Sequence, residues 1–116
     1  MQKKQIPVYN DGVALICNLK KKERDFNAHI NPVTLDDLEI KGRVCFEISS
    51  IRVEDMDFAE RMEKKLTLKI KTPYCPLVSK KNKMLIKKVL YNIFRIDPSS
   101  DKTELFIYME EEREFA

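Results

Sequence analysis

Residues 66–71 (LTLKIK) alternate apolar and polar without a fault, and the rest of the chain must accommodate that period. Strict alternation places Leu66, Leu68 and Ile70 on one face and the lysines on the other, as in a half-buried strand. Upstream, Val44, Phe46 and Ile48 alternate with Cys45 and Glu47. Short strand signals of this kind recur along the chain with turn signals between them. Only one segment carries a helical period.

Taken in order, Ile6 to Tyr9 reads as a short extended start. Asn10-Asp11-Gly12 is a turn signal, because Asn and Gly tolerate positive φ. Val13 to Leu19 is a strand running on through Lys20, Lys21 and Lys22 towards Arg24, which makes an N-terminal hairpin. Residues 25–41 (DFNAHINPVTLDDLEIK) have no clean period, and Asn31-Pro32 marks a turn. So long a connection is often functional; it reads as a docking arm or as a surface loop. Gly42 opens the next strand.

After Lys71, Thr72-Pro73-Tyr74-Cys75-Pro76-Leu77 breaks the sheet, since prolines three apart do not sit in a central strand. A basic loop follows over 79–83, then a short strand Met84-Leu85-Ile86. Lys87-Lys88 reads as a two-residue turn, although Asn-Gly is better turn chemistry. A returning strand covers 89–96, and Asp97-Pro98-Ser99-Ser100-Asp101 is a turn cluster. The last strand, 103–109, carries Leu105, Ile107 and Met109 on one face and Phe106 and Tyr108 on the other. Apolar groups on both faces suggest a barrel, or a second partner surface. The expected fold is mainly β: a small antiparallel β-barrel, in one domain over 1–116, with a short helix or loop inserted between two central strands.

That insertion, 49–65 (SSIRVEDMDFAERMEKK), is longer and more charged than a hairpin turn needs. Met56, Ala59, Met62 and Leu66 form a narrow helical stripe. Glu54, Asp55 and Asp57 precede Arg61, Lys64 and Lys65, the order favoured by the helix macrodipole. Asp57 with Arg61 and Glu60 with Lys64 are i,i+4 pairs. A helix of two to three turns is marginal alone, so it must dock or move. It reads as a cap on the end of a barrel, or as a moving element or contact to another subunit.

Composition sets limits on function. A chain of 116 residues, 43% hydrophobic and 35% charged, suits one soluble globular domain with a real core. No run approaches the roughly 18 apolar residues of a membrane helix, and Met1-Gln2-Lys3-Lys4 does not begin a signal peptide. Cys17, Cys45 and Cys75 are odd in number and lack CxxC spacing, so buried free thiols in a reducing compartment are expected. Net charge is +3, with basic clusters at 20–22 and at Lys80, Lys81, Lys83, Lys87 and Lys88. The second cluster reads as a solvated face or as a surface tracking nucleic-acid phosphates. Glu110, Glu111, Glu112 and Glu114 make an acidic C-terminus.

Catalytic chemistry is not legible. His29 stands alone, no cysteine lies at ligand spacing from it, and no nucleophile–base pairing is visible. Gly12 and Gly42 are the only glycines, so a Gly-rich phosphate loop is excluded. No enzyme activity, cofactor or metal is expected. One alternative is an OB-like nucleic-acid-binding barrel, which needs aromatics such as Tyr74, Tyr91, Phe94 and Phe106 interleaved with lysines on an exposed face.

From Arg43 to Glu110 the sequence resembles the head-closure (head–tail joining, stopper) proteins of long-tailed phages. The features, in order, begin with a strand ending in Ile48-Ser49-Ser50 and a polar insert with Glu54, Phe58, Ala59 and Glu60. A strand ending in Ile70-Lys71-Thr72-Pro73-Tyr74 follows, then a basic connector to Lys83-Met84-Leu85-Ile86. A Tyr91-Asn92-Ile93 strand ending in Ile96-Asp97 leads to a final strand Glu104-Leu105-Phe106-Ile107-Tyr108. The match covers about two thirds of the chain, and the first 42 residues match loosely. The resemblance implies a virion protein at the head–tail junction, monomeric when isolated and forming a ring, commonly of twelve subunits. The ring would lie between a portal-adaptor protein and a tail-completion or tail-tube protein, close the channel on double-stranded DNA, and offer the tail-docking surface. By position, the channel-closing loop would comprise Ser49, Ser50, Glu54, Asp55, Met56, Asp57, Phe58, Ala59, Glu60, Arg61 and Met62. Phe26, His29, Ile30 and Leu35 would be adaptor-docking residues, and Lys80, Lys81 and Lys83 would face DNA or solvent. Tail-completion proteins share related folds and are a further alternative.

Overall fold

A computed structural model of the chain describes residues 9–20 and 35–115. Six strands form a closed antiparallel barrel: β1 (Gly12–Leu19), β2 (Leu38–Ile48), β3 (Leu68–Pro73), β4 (Lys83–Ile86), β5 (Val89–Pro98) and β6 (Glu104–Glu114). Around the barrel they run β1-β2-β3-β6-β5-β4, with β4 hydrogen-bonded back to β1. One helix, α1 (Val53–Arg61), is inserted between β2 and β3. The mainly-β barrel with a single helical insertion is thus the observed architecture.

Alternation builds the interior. Ala14, Ile16, Phe46, Ile70, Met84, Ile86, Ile93, Leu105, Ile107 and Met109 form the buried core, joined by Val78 from the loop after β3. β3 pairs with the end of β2 through Glu47↔Lys71 and Ile48↔Ile70, and Ser49 N–H adds a bond to the Lys69 carbonyl. Beyond that the gap is closed by side chains: Leu77 reaches Gly42, where an added Cβ would lie 3.2 Å from its Cδ1, and Cys75 packs on the core. A second apolar cluster holds Cys17, Leu38, Leu90 and Phe115 together with Leu15, Leu19 and Leu85.

Several boundaries differ from the sequence reading. β2 begins at Leu38 rather than Gly42, because β1 continues its pairing to Leu19↔Leu38. β6 runs on to Glu114, so the acidic run is strand, paired with the start of β5. Asn10-Asp11-Gly12 leads into β1, and Asp11 is tied to β2: its N–H donates to the Phe46 carbonyl, and its carboxylate accepts from Ile48 N–H. Gly12 is required there. Its φ is 147°, and a Cβ would lie 3.1 Å from the Phe46 ring. The partner strand expected from Ile6, the continuation of the first strand over 21–24, and residues 25–34 of the long connection lie outside the described residues. Cys45 is exposed, not buried, because it stands opposite Val13 between the inward Val44 and Phe46; Cys17 is buried and Cys75 half-buried.

Lys87-Lys88 is the expected two-residue turn, joining Ile86 to Val89. Both lysines take positive φ, 48° and 67°, the type I′ geometry that suits twisted strands but disfavours residues with a Cβ. Replacing the pair with the Asn-Gly dipeptide (K87N/K88G) should raise unfolding stability by about 1–2 kcal/mol, read as a higher denaturant midpoint with an unchanged slope.

Candidate functional site

The insertion begins where β2 ends. Ser49 N–H still donates to the Lys69 carbonyl, and the chain then leaves the sheet. Asp55, the third helical residue, reaches back and accepts the Arg52 backbone N–H at 3.0 Å, the carboxylate half of a capping box. The other end closes as a Schellman motif: Glu63 N–H donates to the Glu60 carbonyl and Lys64 N–H to that of Ala59, with Glu63 at φ 56°. Nine residues do not sustain a helix in water, so the docking contacts decide whether it forms.

Those contacts are on the outward face of β3, β6 and β5. Phe106 and Tyr108 point outward from β6, opposite Leu105, Ile107 and Met109 in the core. This is the second apolar face of the last strand, and α1 covers it. A bulge between Ile93 and Arg95 adds Phe94 to β5. Phe94 packs with Tyr108, their ring centroids 6.5 Å apart, and Arg95 stacks over both Phe58, at 4.3 Å, and Tyr108. Ala59 and Leu66 complete the cluster.

Under the helix lies an ion pair. Lys69 Nζ donates to Asp55 Oδ2 at 2.9 Å, with side-chain exposures of 7% and 10%. The ammonium also lies 5.1 Å from the Tyr108 ring centroid and 5.4 Å from that of Phe106, contacts that offset part of its desolvation. Burial pushes the Asp55 carboxyl upward. The Arg52 N–H, Lys69 and the Tyr108 hydroxyl outweigh it and hold the group below its ordinary value. Beside the pair opens a cleft of about 410 Å³, lined by Ser49, Ser50, Arg52, Glu54, Asp55, Lys69, Phe106 and Tyr108.

The expected stripe is half right: Ala59 and Leu66 are buried in the outer cluster, and Met56 and Met62 are not. Asp55 and Ala59 are buried and Phe58 is half-buried, whereas Met56 and Met62 are exposed. Lys69 rotates the helix: its charge needs the carboxylate beneath, and Phe58 follows to meet Arg95. The lysines of 66–71 are likewise not all in solvent, since Lys69 is buried. Leu66 lies ahead of β3 and joins the outer cluster rather than the face of Leu68 and Ile70. Neither expected i,i+4 pair is among the ion pairs of the described residues. Glu60–Lys64 fails because the helix has ended at Arg61. Asp57, Glu60 and Arg61 line a shallow groove on the solvent side.

The structure thus brings together Ser49, Ser50, Glu54 and Asp55 around one cleft, seats Phe58 and Ala59, and leaves Met56, Asp57, Glu60, Arg61 and Met62 outward. Leu35 is exposed in a short 3₁₀ turn (Leu35–Asp37); Phe26, His29 and Ile30 lie outside the described residues. Lys80 and Lys81 are exposed. Lys83 is not solvent-facing: it donates to Asn92 and pairs with Glu112, which a bulge in β6 opposite Leu90 and Tyr91 turns towards it. Lys69, Arg95 and Tyr108 escaped the sequence reading. The one signal was the apolar outward face of the last strand, which needed a cover. No family model matches the chain, and no characterised protein is detectably similar to it in sequence.

Removing Asp55 would leave Lys69 buried and unpaired, at a cost of about 3–5 kcal/mol. That exceeds what one alanine and a half-buried phenylalanine contribute to docking, roughly 1–3 kcal/mol. Asp55→Ala should therefore undock 53–61, with fast protease cleavage there while the β6 amides stay protected from exchange. Asp55→Leu with Lys69→Met should restore resistance.

Acid should act the same way. Because the folded pKa of Asp55 is lowered, its contribution is complete above about 3.9, the unfolded value, and is lost as pH falls through the folded value. Hydrogen exchange in α1 should accelerate over that acid range in the parent chain and show no such step in D55L/K69M.

Proposed function

We propose that this chain is a structural subunit of a phage head–tail connector, forming a ring that closes the DNA exit channel, with 49–65 as the closing element. The observation that carries this reading is the construction of the insert. A nine-residue helix, too short to persist alone, rests on the outside of a closed barrel through one ion pair and a small apolar cluster. The barrel core itself contains no residue of α1. The insert can therefore leave without opening the barrel, which is what a gate requires. The portal adaptor on one side, a tail-completion or tail-tube protein on the other, and double-stranded DNA in the channel are the partners of such a ring.

The alternative of an OB-like nucleic-acid module has less support. Lys83 is consumed by Glu112, Phe94 is buried, and Phe106 lies beside Lys69 under the insert. A tail-completion role fits the same barrel and is separated by phenotype.

Deleting the gene from its phage background tests the proposal. Heads that package DNA, then leak it under nuclease challenge and lie apart from finished tails, are the expected result. Full heads with defective tails would reassign the protein to tail completion. Infectious particles in normal yield would refute a structural role. In the complemented phage, replacing 53–61 with a Gly/Ser linker should produce leaking heads while leaving the barrel folded.

A further inference from the structure

The seat of α1 has a chemistry of its own. Across β3, β6 and β5, Lys69 stands opposite Tyr108, and Tyr108 opposite Arg95. In the next outward row, Lys71 stands opposite Phe106. The bulge in β5 adds Phe94 to the same side. Cations interleaved with aromatic rings on one strand face are what a small barrel needs to hold single-stranded nucleic acid, since rings stack on bases and cations meet phosphates. The sequence reading sought that pattern on an exposed face. The structure has it beneath the insert.

The groups that α1 lays on this face are the second observation. Asp55 places an anionic oxygen 2.9 Å from the Lys69 ammonium. Three residues on, the Phe58 ring lies over the Arg95 guanidinium, its centroid 4.3 Å from the guanidinium carbon. An anion on the lysine and a flat ring on the arginine are also what a nucleotide offers, as phosphate and base.

The remaining charges are balanced at the rim. Lys71 is shared by Glu47 and Glu104, and Arg95 pairs with Asp97 at 2.8 Å. That pair uses an N–H of the guanidinium and leaves its flat face to a ring. Lys69 has no carboxylate other than Asp55 within pairing distance among the described residues. Departure of α1 therefore leaves one unpaired cation among uncovered rings.

We infer that this face binds single-stranded nucleic acid and that α1 holds it shut as an internal mimic of a nucleotide. This rests on the reading of 49–65 as an element that leaves its seat, and adds what the seat takes in exchange. Helix and nucleic acid need the same lysine and the same rings, so they compete. By linkage, a bound strand also keeps the insert off the barrel. Stacking supplies most of the affinity, because the rim carboxylates offset Lys71 and Arg95.

The test is fluorescence anisotropy on the full-length chain with a labelled oligothymidine of about ten nucleotides. Asp55→Ala should bind it about tenfold or more tighter than the parent chain, whose seat is covered. A chain with a Gly/Ser linker in place of 53–61 should do the same, and uncovers the seat whether or not the point variant does. Asp36→Ala makes the same change of charge in the turn before β2 and should bind as the parent does. In the linker chain, Phe106→Ala should cost about tenfold, with circular dichroism showing an intact barrel. Log affinity should fall against log salt with a slope of about −1, for one or two phosphates. A linker chain that binds no tighter than the parent would overturn the inference, as would binding indifferent to Phe106→Ala. A slope of about −3 or steeper would overturn it as well, by placing the contact on exposed lysines such as Lys80 and Lys81. So would duplex bound as tightly as single strand, because paired bases are not free to stack on the rings. Binding is read on isolated protein, so it can fail while the leaking-head phenotype stands, and the reverse.

Discussion

The ion pair between Lys69 and Asp55 is the interaction on which the insertion depends. Strand β3 must contribute inward Leu68 and Ile70, so alternation sends Lys69 outward, into a face already occupied by Phe106 and Tyr108. A cation there can stay in water or be covered and paired. The chain covers it, and the carboxylate that does so also caps its own helix at the Arg52 N–H. Helix formation, helix docking and charge neutralisation are therefore one event. Such a pair adds little net stability compared with a well-packed apolar alternative. What it supplies is dependence: α1 has one seat and one rotation about its axis.

Irregularities in the strands place the remaining groups. The bulge at Phe94 sends Phe94 and Arg95 to the same side, where one packs on Tyr108 and the other stacks on Phe58. The bulge opposite Leu90 and Tyr91 brings Glu112 to Lys83 and Asn92. The register shift between Ile16 and Cys17 occurs where Gly42 leaves room for Leu77. Each extra residue re-aims a side chain that regular alternation would have sent the other way. One bulge builds the seat of the insert and another removes a lysine from the basic surface.

The proposed gate follows from this division of labour. The closed core gives a platform that does not rely on α1, while the helix relies wholly on the platform. Elements that move are drawn from the weakly held parts of a fold. Here the weak part also displays Val53, Met56 and Met62 outward.

Much was legible from the sequence alone. Strict alternation over 66–71, paired apolar faces in 103–109 and turn residues at 87–88 and 97–101 dictate antiparallel strands, and the change of period over 49–65 dictates one helical insertion. These are local consequences of period and backbone preference, so they survive without tertiary information. Which side of the helix is buried was not local. Its apolar stripe joined Ala59 and Leu66, which are buried, to Met56 and Met62, which are not, and the buried partner of a lysine on another strand is Asp55. Strand limits at Leu38 and Glu114 were likewise set by the partner strand's length, the pairing of Lys83 with Glu112 by a bulge two strands away, and the exposure of Cys45 by alternation between Val44 and Phe46. The sequence determines the elements because each is a property of a few adjacent residues; only the closed barrel decides their faces, because burial and pairing are properties of residues far apart in the chain.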